Sequence, residues 1–183
     1  PKGVGALYVR KGTRLASLLH GGGQERKRRA GTENVPGIVG FGRAVEIAAG
    51  EIDEESERLS DLRDRLVKGL GERIGDIRLN GHPYRRLPNN VNVSIGYAEG
   101  EAMLLNLDLE GICVSTGSAC SSGSLEASHA LLALGLSPVQ AHSSLRFSLG
   151  YGSTGEDVER VLEVLPGIVK RLRAMSPMLK SNN

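Results

Sequence analysis

From Ser115 to Ser124 the chain reads Ser-Thr-Gly-Ser-Ala-Cys-Ser-Ser-Gly-Ser; nine of these ten residues are small and the tenth is Cys120. A stretch with no sizeable apolar side chain cannot fill a core, so any fold has to break into a loop here, and glycine and serine favour a mobile one. A thiol in that setting is presented rather than packed. Its thiolate is the reactive form, and cysteine is intrinsically a strong nucleophile. Cys120 is therefore the candidate catalytic nucleophile. The usual fate of a free cysteine is that of a small buried hydrophobe. That fate is the expectation for Cys113, which lies in the apolar run Ile112-Cys113-Val114. The two cysteines lie too far apart for a C-x-x-C pair, which argues against zinc or a thioredoxin-like couple.

Composition sets the remaining bounds. The chain has 183 residues, 39% hydrophobic and 24% charged, with a net charge of +2. That suits one or two ordinary globular domains and gives no electrostatic case for nucleic acid. Two cysteines do not make a disulfide framework, which fits a reducing compartment, and the expected location is the cytoplasm. No apolar run approaches the roughly 20 residues needed to span a bilayer, so no membrane role is expected. His20, His82, His129 and His142 show no metal-ligand spacing. The chain opens on Pro1, and Val4 to Val9 already read as a strand. The expectation is the later part of a longer protein, beginning inside a fold.

Periodicity orders the elements. Lys11-Gly12 marks a turn. From Val35 the apolar spacing becomes helical and runs through Leu59, Leu62, Leu66 and Leu70, with dense mixed charge over residues 51–65 that suits an exposed linking helix. Strands are expected at 76–79, at Val91, Val93 and Ile95, at Ile112–Val114, and at Leu145, Phe147 and Leu149. Helices are expected at 99–109 and at about 125–134, ending at Gly135. A last helix opens at a capping box of Thr154 with Asp157, and Pro166 should kink it. Residues 176–183 are expected to fray. This order predicts an α+β layer with helices on one face of a mostly antiparallel sheet. Residues 1–50 read as the edge of a larger domain, and 51–175 as the small domain.

Two patterns suit anions. Glycines 21–23, the basic run Arg26 to Arg29, and Gly31-Thr32 combine backbone N–H groups, cations and a hydroxyl, as a phosphate requires. Neither a Walker A loop nor a dinucleotide fingerprint is present. Arg146 alternates with Leu145 and Phe147, so its side chain must leave the opposite face of the strand. A guanidinium there can fork onto a carboxylate or lie on a solvated face; the residues alone leave both open.

The runs Pro1 to Val9, His20-Gly21-Gly22-Gly23-Gln24-Glu25-Arg26, Arg29-Ala30-Gly31-Thr32-Glu33-Asn34, Leu87-Pro88-Asn89-Asn90-Val91-Asn92-Val93-Ser94, Ser115 to Glu126, and Ser144-Leu145-Arg146-Phe147-Ser148-Leu149-Gly150 resemble, in order, the cysteine desulfurases. These are class V aminotransferase-like enzymes that use pyridoxal phosphate, and the long cysteine loop is similar to that of their iron–sulfur-cluster and nitrogen-fixation branch. The resemblance implies the C-terminal small domain of a fold-type I pyridoxal-phosphate transferase, preceded by the last elements of its large domain. It implies removal of sulfur from L-cysteine to give L-alanine, with a persulfide on Cys120 for transfer to an iron–sulfur scaffold or another acceptor protein. By position it makes Arg146 the ligand of the substrate carboxylate. It makes Thr32 a contact to the cofactor phosphate of a neighbouring subunit, and so implies a homodimer.

One departure bears on activity. The family's cofactor-binding lysine lies in a Ser-x-His-Lys segment upstream of Pro-Lys-Gly, and none of the six lysines here has that context. The cofactor is therefore expected to be held mainly by residues outside this chain, and the isolated chain to be inactive. Two rivals stand beside this reading. One is a class V aminotransferase or selenocysteine lyase fragment. The other is a non-catalytic module that carries sulfur or docks a scaffold through the Cys120 loop and the Arg26–Arg29 stretch.

Overall fold

A computed structural model describes residues 1–117 and 127–175. The chain divides into two units, Pro1–Asp53 and Glu54–Asn183.

The first unit carries a short antiparallel hairpin, β1 (Gly23–Gln24) and β2 (Arg29–Ala30), closed by a single 3-10 turn at Glu25–Lys27. Glu25, Arg26 and Lys27 all have positive φ, at 49°, 58° and 64°. Successive left-handed residues other than glycine store strain, on the order of 1–2 kcal/mol each. Helix α1 (Val35–Arg73) then begins, capped by Asn34, whose Oδ1 accepts from the Gly37 N–H at 3.2 Å. The expected strand at Val4–Val9 does not form. Nothing in the unit pairs with it, and Leu7 and Tyr8 are 74% and 88% exposed.

The second unit holds the core. Its sheet has the order β3-β4-β6-β5, built from β3 (Ile77–Leu79), β4 (Asn90–Ile95), β5 (Ser115–Thr116) and β6 (Ser144–Ser148), and every pairing is antiparallel. Val91, Val93, Ile95, Leu145 and Phe147 point to one face and are buried. That face packs with Leu66 and Leu70 of α1, Met103 and Leu107 of α2 (Gly100–Leu109), and the stripe Val158, Val161, Leu162, Leu165, Ile168 and Val169 of α5 (Gly155–Met175). The i, i+3, i+4, i+7 recurrence of that stripe is why α5 buries a single side. Where α1 meets α5, a Cβ on Gly69 would stand 2.5 Å from Leu162 Cδ1, so only glycine allows the approach. Helix α5 runs through Pro166 without interruption.

The expected strand at Ile112–Val114 is displaced to Ser115–Thr116. Ile112 and Val114 still pack on the core, but Cys113 between them faces outward and is exposed, contrary to the buried position expected for it. Alternation explains this, since neighbours on an extended backbone face opposite ways. The helix expected over about 125–134 is described only as α3 (His129–Ala133); Gly135 follows its end with φ 83°. A short α4 (Pro138–His142) packs with it around Leu131, Leu136 and Ala141.

Candidate functional site

The second face of the sheet is polar, and register lines it up. Asn92 on β4 pairs with Arg146 on β6, and Arg146 pairs with Ser115 on β5. Asn80, just past β3, donates its N–H to the Asn92 carbonyl at 2.8 Å. One row across four strands therefore reads Asn80, Asn92, Arg146, Ser115, and residues paired directly across strands share a face. Arg146 Nη2 donates to Ser115 Oγ at 3.3 Å, while its Nε is buried with no acceptor among the described residues. Asn80 Nδ2 donates to Asn92 Oδ1 at 2.7 Å and to Ser94 Oγ at 2.8 Å, which leaves its own buried Oδ1 without a donor.

A cleft of about 330 Å³ opens over this row. The 81–86 loop supplies His82, Arg85 and Arg86, and α3 closes another side with Ala130 and Leu131. No carboxylate lines it among the described residues. His82 Nδ1 accepts the backbone N–H groups of Tyr84 and Arg85 at 3.1 and 3.0 Å, which folds the loop back on itself. Arg86 Nη2 donates to the Asn80 carbonyl at 3.0 Å, and its Nε and Nη1 are buried without acceptors among the described residues. Burial holds the Arg86 guanidinium below its ordinary value, the neighbouring Arg63 charge pushes the same way, and Asp64 partly offsets both. An arginine stays charged through such a shift.

The base of the cysteine loop borders the same cleft. Gly117 and Ser128 both line it. A Cβ on Gly117 would lie 2.8 Å from both Leu131 Cδ1 and Ser144 Oγ, so the chain enters the loop pressed against α3 and β6. Ala127 packs on the Leu131 cluster as the chain returns. Cys120 itself lies outside the described residues.

Thr32 belongs to the first unit. It is exposed, one residue past Gly31, whose N–H closes the hairpin on the Gly22 carbonyl at 3.2 Å and whose φ is 92°. The structure thus places Arg146 and the two ends of the cysteine loop on one cleft, with Thr32 on a separate unit. Sequence reasoning missed Asn80, Asn92, Ser115 and Arg86. The alternation of Asn92 and Ser94 with Val91, Val93 and Ile95 marked a half-buried strand, but nothing in the linear order said which arginine the strand pairing would set beside it.

Fit to a pyridoxal-phosphate cofactor is one-sided. Thr32 after a positive-φ glycine is a suitable phosphate donor, whereas no lysine lies among the residues lining the Arg146 cleft. Among the described residues no cluster of three or more His, Cys, Asp or Glu is placed to hold a metal ion, and no helix is long and apolar enough to cross a membrane.

The profile of the family described as aminotransferase class-V matches residues 1–161. The chain is 61% identical over 178 residues to the cysteine desulfurase IscS of Methanosarcina thermophila, covering 97% of this chain and 44% of that protein. It is 56% identical over 177 residues to a cysteine desulfurase of Gluconacetobacter diazotrophicus, again covering 97% and 44%. Among solved structures, a NifS-like protein superposes with a TM-score of 0.77 at 37% identity, over 90% of this chain and 41% of the other. A NifS-like protein from Rickettsia africae gives 0.75 at 32% identity, over 86% and 41%. The chain therefore spans less than half the length of these relatives. With that profile match over most of its residues, the chain belongs to the aminotransferase class-V family.

Proposed function

We propose that this chain is the C-terminal part of a cysteine desulfurase that takes sulfur from L-cysteine, releases L-alanine and leaves a persulfide on Cys120. The observation that carries the reading is the meeting of Arg146 and both ends of the cysteine loop on one cleft, where, among the described residues, no carboxylate lines the wall and Arg146 Nε has no acceptor. Arg146 holds the substrate carboxylate by charge-assisted hydrogen bonds. Cys120 follows three residues after Gly117, which lines the Arg146 cleft. As thiolate, Cys120 attacks the substrate sulfur. An S–S bond forms as the Cβ–S bond breaks, the bonding pair leaves with carbon, and protonation of that carbon gives alanine. Pyridoxal phosphate, when bound, supplies the electron withdrawal that makes this cleavage accessible. Thr32 contacts its phosphate, from the neighbouring subunit of a homodimer. The first unit is the end of the cofactor-binding domain, and the second is the small domain. The persulfide passes to an iron–sulfur scaffold or another acceptor in the cytoplasm.

The test uses the full-length protein. Cys120→Ala is expected to abolish persulfide formation, read by mass spectrometry, while the cofactor absorbance is unchanged; sulfur transfer retained in that variant discards the assignment. Arg146→Ala is expected to weaken substrate binding by about 1.5–3 kcal/mol, and unchanged steady-state constants would remove its role. Alanine release from cysteine set against selenocysteine separates the selenocysteine lyase reading. Imine absorbance on mixing the isolated chain with pyridoxal phosphate would show a lysine here binding the cofactor, contrary to the proposal.

A further inference from the structure

The Arg146 cleft contains more cationic donor capacity than one carboxylate uses. Arg86 also lines it, anchored by Nη2 on the carbonyl of Asn80, at the other end of the row that Arg146 occupies. Asn80 and Arg146 are two strands apart, so their backbones are separated by roughly 10 Å at ordinary strand spacing. Among the described residues, two of the three Arg86 nitrogens are buried with no acceptor, as is Arg146 Nε. A buried donor left unpaired costs about 1–3 kcal/mol, and three on two residues of one cleft are unusual in a native structure.

The charge balance points the same way. Arg85, Arg86 and Arg146 line the cleft and no described acid faces it. Behind Arg86, Arg63 is buried; its Nε donates to Asp64 Oδ1 at 2.8 Å and its Nη1 to the Leu87 carbonyl at 3.2 Å. That places one further cation beside Arg86 and commits Asp64 to Arg63. A monocarboxylate held by one guanidinium leaves the other without an acceptor. A ligand with an anionic group at each end satisfies both.

We infer that Arg86 is the second arm of a two-guanidinium clamp whose first arm is Arg146, and that the cleft takes small organic acids carrying two anionic groups. This rests on the reading of Arg146 as a carboxylate ligand and extends it from a one-point to a two-point site. Ligands of this class compete with a monocarboxylate for Arg146 and exceed it in affinity through Arg86. The fork and pairing geometry of a guanidinium is what a lysine ammonium in its place would lack.

The experiment titrates the chain with acetate, succinate and glutarate by calorimetry at low salt. The tighter of the two diacids is expected to bind 10–100-fold better than acetate, the range that a charge-assisted hydrogen-bonded pair supplies. Arg86→Gln is expected to bring the diacid-to-acetate ratio down to within threefold of one. Arg85→Gln removes the same charge from the same cleft and is expected to keep the ratio, so an equal loss there would reduce the effect to general electrostatics and overturn the clamp. Should Arg86→Gln fail to fold, Arg86→Lys keeps the charge with a single nitrogen and is expected to lower the ratio at least fivefold. A ratio near one in the unmodified chain, or one unchanged by either Arg86 substitution, also overturns it. Arg146→Gln reports separately: its failure to weaken acetate would defeat the Arg146 reading, whereas a normal acetate response with no diacid preference defeats only the role of Arg86.

Discussion

Arg146 has Asn92 on one side and Ser115 on the other, and its two core-facing neighbours in sequence fix which way it leaves the strand. Its alternation was legible in the sequence, because period two is a property of any strand. Its partners were not, because register joins residues 31 and 54 positions apart, a matter of which hydrogen-bond ladder closes. Gly117 shows the same limit. In the sequence it is one of several loop glycines. In the fold its missing Cβ is the space occupied by Leu131, Ser144 Oγ and, at 3.3 Å, the Ala141 carbonyl. Gly→Ala at a permissive site stabilises by about 0.4–1 kcal/mol through the unfolded chain. At Gly117 the overlap is expected to reverse that sign and destabilise by about 1–3 kcal/mol, read by urea denaturation. A variant as stable as the parent would show that the loop base has room to move.

Among the elements, α5 was the easiest to read. Its apolar stripe repeats at helical spacing, and Thr154 with Asp157 marks the start. The cap forms as expected: Asp157 N–H donates to Thr154 Oγ1 at 3.3 Å, and Thr154 N–H and Oγ1 donate back to Asp157 Oδ2 at 2.8 and 2.9 Å. Those bonds, the backbone one first, hold the Asp157 carboxyl below the ordinary carboxylate range. A carboxyl lowered by folding contributes stability above its unfolded value, near 4, and loses it as pH falls through the lowered folded value. Asp157→Asn is therefore expected to lower the Tm at pH 7 and to approach the parent as pH falls through the lowered folded value and the Asp157 carboxyl takes up its proton. A difference undiminished in acid would mean that charge has no part in the cap. Glu55 shifts in the same direction, chiefly through its hydrogen bonds from Arg58. Arg58 also donates to the Gly150, Tyr151 and Ser153 carbonyls, and so ties α1 to the turn that follows the Arg146 strand. No local pattern marks such a tie, since its ends lie more than ninety residues apart. The short strands failed for the reverse reason. Residues 4–9 have strand composition, but with no partner the extended backbone remains unpaired.

At the scale of the molecule the two units differ in what they bury. Every buried apolar side chain lies in the second unit, while Val35, Ile38, Val39, Val45 and Ile47 in the first are exposed. Local opening is cheapest where few apolar groups are covered. Amide exchange is thus expected to be fast over residues 1–34 and slowest in β4 and β6, by several orders of magnitude. Uniform protection along the chain, read by mass spectrometry after pepsin digestion, would refute the contrast. The exposed apolar side of α1 is also expected to bind a hydrophobic dye; absence of dye fluorescence would show that face to be covered.

What the residues determined by themselves was local: which strands alternate, where α5 starts, and which small-residue run carries the thiol. These follow from side-chain size, period and capping, each acting within a few residues. The tertiary structure decided what those features meet. It turned Cys113 outward, set Arg146 in a row with Asn80, Asn92 and Ser115, and brought Arg86 and the loop base to the same cleft. Those outcomes depend on strand register and helix packing, free-energy terms shared by residues far apart in the chain, which no local pattern encodes.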